Sequence, residues 1–167
     1  MVARLIHRLA ACRCYRLEEN AASVAKAHNR GAFRDRRMRA PMPVIFYIDD
    51  SRDDLFYLDY IRKKERISVD LFCFATAEAG LAALEHRSAE RAQLPDMLIA
   101  DLYMPLDSGL ALIARLRAEA RFKTMRLCVC SGSDAEEDRQ RALVAGADSY
   151  LQKPLDFAAI LRPQRSR

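Results

Sequence analysis

From Val44 onward, short apolar runs alternate with stretches whose apolar residues recur every three or four positions. Val44–Ile48 is apolar, β-branched and aromatic and stops at Asp49 and Asp50, the pattern of a strand covered on both faces that ends at the edge of a parallel sheet. Leu55, Leu58 and Ile61 follow at three-residue spacing and lead into Arg62, Lys63 and Lys64, charges that suit a helix C-terminus. The alternation then repeats. A strand is predicted over 69–74, and Thr76 caps a helix carrying Ala79, Ala82, Ala83 and Leu84. A third strand over 97–100 places Asp101 at its end, and Ser108 and Gly109 introduce a helix over 110–118. A fourth strand runs over 127–130. Ser133 and Glu136 spell a capping box ahead of Leu143 and Val144, and Gly146 stops that helix as a C-cap does. Ser149–Gln152 is the fifth strand, with Lys153 and Pro154 at its end, and a short helix over 156–161 is stopped by Pro163.

Five strands alternating with five helices predict an α/β domain built on a doubly wound parallel sheet, because a parallel crossover requires a covering element. The crossovers are right-handed, and chemistry in such sheets collects beyond the C-terminal ends of the strands. Asp49 and Asp50 end the first strand, Asp101 the third, Ser131 the fourth and Lys153 the fifth, so all lie on that edge.

Each of these residues alone is ordinary: an Asp after a strand is usually a turn or cap residue, and a lone Lys is usually solvated. Together they define a chemistry. Carboxylates gathered in one pocket repel one another unless a hard cation sits among them, and Mg²⁺ takes oxygen ligands while keeping several waters. A metal store has no use for a lysine and a hydroxyl, but phosphoryl transfer does. A carboxylate attacks phosphorus, the cation and Lys153 neutralise the transferring oxygens, and Ser131 donates to one of them. The chain has no G-x-x-x-x-G-K-[ST] loop, so the phosphoryl group is expected from a partner protein.

Charge changes the picture only at the N-terminus. The net charge is +5, but residues 1–43 hold ten basic and three acidic residues, a net of +7, which leaves eighteen basic and twenty acidic residues, a net of −2, for the remainder. A nucleic-acid role for the folded part is therefore not expected. Residues 1–43 are read as a basic extension with a helical portion, since Leu5, Ile6 and Leu9 recur at helical spacing before Arg34, Arg36, Arg37 and Arg39. It is read as a loosely ordered extension or a helix packed against its own domain or a twin subunit, with a membrane-surface or kinase-docking helix as the alternative. Arg4, Arg8 and Arg13 interrupt any secretory core, and no apolar run is long enough to span a bilayer, so a cytoplasmic location is expected. The five cysteines form no disulfide framework. Cys128 and Cys130 share one face of a strand and are read, with Cys73, as buried thiols, while Cys12 and Cys14 lack the further ligands of a zinc site.

The residues from Val44 to about Leu161 resemble the receiver domain of two-component response regulators. The resemblance rests on I-D-D-S (48–51), on D-L-Y-M-P-L-D-S-G (101–109, with Pro105 and Gly109), on Ser131 and on G-A-D-S-Y-L-Q-K-P (146–154). It implies a flavodoxin-like (βα)5 sheet in strand order 2-1-3-4-5, with the receiver over 44–162 and a basic tail over 163–167. It implies phosphorylation of Asp101 by a sensor histidine kinase or a histidine phosphotransfer protein. Mg²⁺, with Mn²⁺ as a substitute, is implied on Asp50, Asp101 and the Tyr103 carbonyl, with Asp49 acting through water. Ser131 and Tyr150 match the switch pair, Lys153 the partner of the phosphoryl group, and Pro154 follows a cis peptide bond in the family. The D-D-S-R-D-D opening over 49–54 also resembles stand-alone receivers partnered with photosensory kinases.

Three departures qualify this. Gly132 leaves the backbone after the switch hydroxyl loose. Tyr103 and Ser133, each two residues past a site residue, flank the route of water to an acyl phosphate; the Tyr103 hydroxyl could orient water, but shielding by its bulk is favoured, which predicts slow autodephosphorylation without true enzymatic turnover. The last helix is shortened, which abbreviates a surface often used for homodimers. With no output domain after Arg167, a single-domain regulator acting by partner docking is expected. The alternatives are a phosphate carrier in a relay, a scaffold of receiver shape that is not phosphorylated, and a phosphohydrolase. The last usually needs D-x-D, where Leu102 and Tyr103 stand here.

Overall fold

A computed structural model describes residues 42–105 and 108–161. Five strands, β1 (Val44–Ile48), β2 (Asp70–Phe74), β3 (Met97–Asp101), β4 (Arg126–Ser131) and β5 (Ser149–Gln152), form one parallel sheet in the order β2-β1-β3-β4-β5. The crossovers carry α1 (Arg52–Lys64), α2 (Ala77–Ala89), α3 (Gly109–Ala118) with a 3₁₀ turn (Ala120–Phe122), and α4 (Glu136–Val144); α5 (Phe157–Ile160) follows β5. This is the expected flavodoxin-like order, and the last helix is short as expected.

Every residue of β1 and β3 is buried, which explains their unbroken apolar character. Successive side chains still take opposite faces. Val44, Phe46 and Ile48 join Ala77, Leu84, Leu112, Ile113, Leu116 and Ala142 from α2, α3 and α4. Ile45 and Tyr47 join Leu55, Leu58, Phe157 and Ile160 from α1 and α5, together with Cys73, Cys128 and Cys130. Those three cysteines are free and buried.

The helix starts are set by short polar side chains. Ser51 accepts from Asp54 N–H, Thr76 from Ala79 N–H, Ser108 from Ala111 N–H and Asp156 from Ala159 N–H. The predicted capping box of α4 does not form. Ser133 Oγ accepts from Ala135 N–H at 3.2 Å within its own loop, and α4 starts from Ala135 without a side-chain cap. A hydroxyl so close to the strand end satisfies the loop first, and Glu136, Glu137 and Asp138 in the first turn compensate through the helix dipole. Gly146 ends α4 as predicted, with φ +99° and its N–H on Leu143 O. β2 begins one residue later than expected, and β4 extends one residue further at each end, so Ser131 belongs to the strand.

The expectations for Cys12, Cys14, the basic extension, Pro163 and the terminal tail fall outside the described residues, apart from Met42 and Pro43. Among the described residues no helix is long and apolar enough to cross a membrane.

Candidate phosphoacceptor site

The C-terminal edge of the sheet gathers Asp49 and Asp101 around Lys153. Its backbone N–H donates to Ser131 O at 2.8 Å, and the Lys153–Pro154 bond is cis, as the resemblance implied. From there the Lys153 ammonium reaches Asp49 at 2.7 Å, Asp101 at 2.7 Å and Asp54 at 2.8 Å. Burial works against charge on Lys153, but the hydrogen bonds to Asp101, Asp49 and Asp54 outweigh it and push its pKa up. Three carboxylates against one ammonium leave two negative charges uncancelled.

Asp49 is fully buried. Its Oδ1 accepts from Ser51 N–H at 2.9 Å, and its Oδ2 accepts from Lys153 and from the Tyr47 hydroxyl. Burial pushes its pKa up against the bonds from Lys153, Tyr47 and Ser51 that favour the anion. Burial also raises the Tyr47 phenol, so Tyr47 remains a donor. Asp101 is 6% exposed; its Oδ1 takes Lys153 and its Oδ2 accepts from Tyr103 N–H at 2.8 Å. Gly109 is required behind it, because a Cβ there would lie 2.0 Å from the Asp101 carbonyl oxygen.

Ser131 and Tyr150 are connected through Ser133. Ser131 is 2% exposed, and its Oγ accepts from Ser133 N–H at 3.1 Å. Tyr150 donates its hydroxyl to Ser133 O at 2.7 Å, with the Arg139 guanidinium 5.2 Å from its ring centre. The Tyr150 ring is buried.

Not all predicted residues converge. Asp50 and Pro105 are exposed at the rim. Among the described residues, the metal-capable atoms lying within 4.8 Å of one another belong to Asp49, Asp101 and Cys130. Burial raises the Cys130 thiol well above its ordinary range, so it stays a neutral thiol and a poor ligand beside hard carboxylates. The oxygen-only remainder, with its uncancelled negative charge, fits Mg²⁺ or Mn²⁺.

Two site residues were missed from sequence. Asp54 reaches Lys153 from the first turn of α1, and its signal was the second acidic pair in D-D-S-R-D-D. Tyr47 lies two residues before Asp49 on the same face, and a buried phenol inside an apolar strand needs a partner.

The sequence model of the response regulator receiver domain matches residues 45–163. The transcriptional regulatory protein PrrA of Mycobacterium tuberculosis is 32% identical over 119 residues, which cover 71% of this chain and 47% of PrrA. The chain thus spans about half the length of that relative. Among solved structures, the chemotaxis response regulator CheY4 of Vibrio cholerae superposes with TM-score 0.59 at 21% identity, covering 72% of this chain and 94% of that one. The bacteriophytochrome response regulator AtBRR superposes with TM-score 0.63 at 17% identity, covering 73% and 89%. At those identities the likeness is one of fold.

Proposed function

Because the chain belongs to the response regulator receiver domain family, we propose that it accepts a phosphoryl group on Asp101 from a sensor histidine kinase or a histidine phosphotransfer protein, and signals by docking to a partner in the cytoplasm. The observation that carries the reading is the Lys153 ammonium held between Asp101 and Asp49 on one edge of the sheet, with the Lys153 backbone N–H on Ser131 O.

Asp101 is poised as the nucleophile. Tyr103 N–H and Lys153 fix its two oxygens, and Lys153 can pass from carboxylate to phosphoryl oxygen without leaving the site. An Asp101 oxygen attacks phosphorus, and the bond from phosphorus to the donor's imidazole nitrogen breaks with its electrons going to nitrogen. Asp50, Asp101 and the Tyr103 carbonyl would hold Mg²⁺, with Asp49 through water, and the ion supplies charge neutralisation at the transferring oxygens. Ser131 Oγ accepts from Ser133, so its own proton is available to a phosphoryl oxygen. Ser131 and Tyr150 both bond Ser133, which gives the site a route to the surface beside β5 and α4.

The approach of a protein donor is supported by α1. Phe56, Tyr57 and Tyr60 are 50%, 40% and 48% exposed on the helix that starts at the site, and Phe56 stacks on Tyr60 with ring centres 6.4 Å apart. Exposed aromatics in one cluster suit the anchor of an interface.

The test is phosphotransfer profiling of the full chain against the histidine kinases of its source, with label followed to Asp101. Transfer from one kinase at a rate well above the others is expected. Absence of label from every kinase, and from phosphoramidate, would leave the scaffold reading standing instead.

A further inference from the structure

Tyr103 is held at both ends. Its backbone N–H sits on Asp101 Oδ2 at 2.8 Å, and its hydroxyl donates to both oxygens of Asp138, at 2.9 and 3.0 Å. The ring between these anchors is not packed away, since Tyr103 remains 60% exposed while Asp138 is 6% exposed. Asp138 belongs to the first turn of α4, where Arg141 also reaches it at 3.3 Å. The bond from the Asp138 carboxylate raises the Tyr103 phenol above its ordinary range, which keeps it a donor. β3 and β4 are neighbours, with Asp101 opposite Cys130 in register. A side chain that starts just past Asp101 and ends on α4 therefore crosses the edge on which Asp101 and Ser131 stand.

We infer that Asp138 is a positioning residue that, by holding the Tyr103 hydroxyl, keeps the ring across the water approach to Asp101 and prolongs the aspartyl phosphate. The inference rests on Asp101 being the phosphoacceptor. In hydrolysis a water oxygen bonds to phosphorus, the bond from phosphorus to the Asp101 oxygen breaks, and its electron pair stays on the restored carboxylate. The two water protons leave with inorganic phosphate. Attack in line with the breaking bond must come from the face of the phosphoryl group opposite the Asp101 oxygen, and we take that face to be the one Tyr103 spans between the loop after β3 and the start of α4. An exposed ring without core packing keeps one orientation only while its end is tied.

The full chain is loaded with phosphoramidate in Mg²⁺, the donor is removed, and phosphate release is followed for the wild type, Asp138→Ala, Asp138→Asn, Tyr103→Phe and the Tyr103→Phe/Asp138→Ala double variant. Asp138→Ala and Tyr103→Phe are each expected to hydrolyse up to about tenfold faster, the factor that one net hydrogen bond supplies. The double variant should be no faster than either single, because both remove the same tie. Asp138→Asn keeps an acceptor oxygen and should stay close to the wild-type rate, although it removes the same charge from the start of α4. Tyr103→Phe alters only an exposed hydroxyl and keeps the test valid if Asp138→Ala folds poorly. A labelled wild type with unchanged rates in both single variants, or a double variant whose effect is the product of the singles, overturns the latch alone. A wild type that takes no label overturns the phosphoacceptor reading, and the latch with it.

Discussion

The Lys153 ammonium donates to Asp101 Oδ1 across 2.7 Å, although Asp101 ends β3 and Lys153 follows β5, with β4 between the two strands. The lysine thereby occupies the oxygens that a divalent cation would also seek, since it also holds Asp49 and Asp54.

Replacing Lys153 by Ala removes the ammonium that offsets two buried carboxylates, Asp49 and Asp101, and the half-buried Asp54. A melting temperature lowered by several degrees is expected without metal, because uncompensated buried charge costs on the order of a few kcal/mol. Mg²⁺ should then raise the melting temperature more in Lys153→Ala than in the wild type, since cation and lysine share oxygens. Thermal melts with and without Mg²⁺ check this; equal Mg²⁺ shifts in the two proteins would speak against shared oxygens.

Asp49 has a folded pKa raised above its unfolded value, so its protonation favours the folded state. That contribution is fully present below the unfolded carboxylate pKa and is lost as pH rises through the folded one. Asp49→Asn, neutral throughout, should therefore be more stable than the wild type at neutral pH without metal. The gain should shrink as the solution is acidified through the folded pKa. Denaturation midpoints along a pH series measure it, and a gain that grows on acidification would reverse the sign.

Gly109 and Gly146 separate site damage from fold damage. Gly109→Ala forces the backbone away from the Asp101 carbonyl and should lower both the melting temperature and the rate of labelling. Gly146→Ala strains a residue at φ +99° with Arg117 close by, and should cost about 1 kcal/mol of stability while labelling proceeds at the wild-type rate.

Phe56→Ala and Tyr60→Ala should slow transfer from the protein donor by about tenfold, as loss of an interface anchor does, and leave labelling by phosphoramidate unchanged. An equal fall with both donors would place the defect in the site and not in docking.

The strand set and the residues at the strand ends were legible because buried parallel strands read as unbroken apolar runs and the polar residues ending them are few. Lys153, Asp101 and Asp49 came together as their positions implied. What escaped depends on side-chain reach across elements. Asp54, Tyr47 and Asp138 were not singled out, and nothing in their spacing shows that one reaches Lys153, one bonds Asp49 and one holds Tyr103. The α4 cap failed for a related reason, because Ser133 lies in a loop that also receives Tyr150 and touches Ser131. Competing local bonds decide such a position.

The most direct measurement is the intact mass of the full chain after incubation with phosphoramidate and Mg²⁺, beside Asp101→Asn. The wild type should gain the mass of a single phosphoryl group, localised by peptide mapping to Asp101 and reduced on chelation of the metal, and Asp101→Asn should gain none while melting cooperatively. An equal gain by Asp101→Asn, or none by the wild type, would contradict the assignment of Asp101.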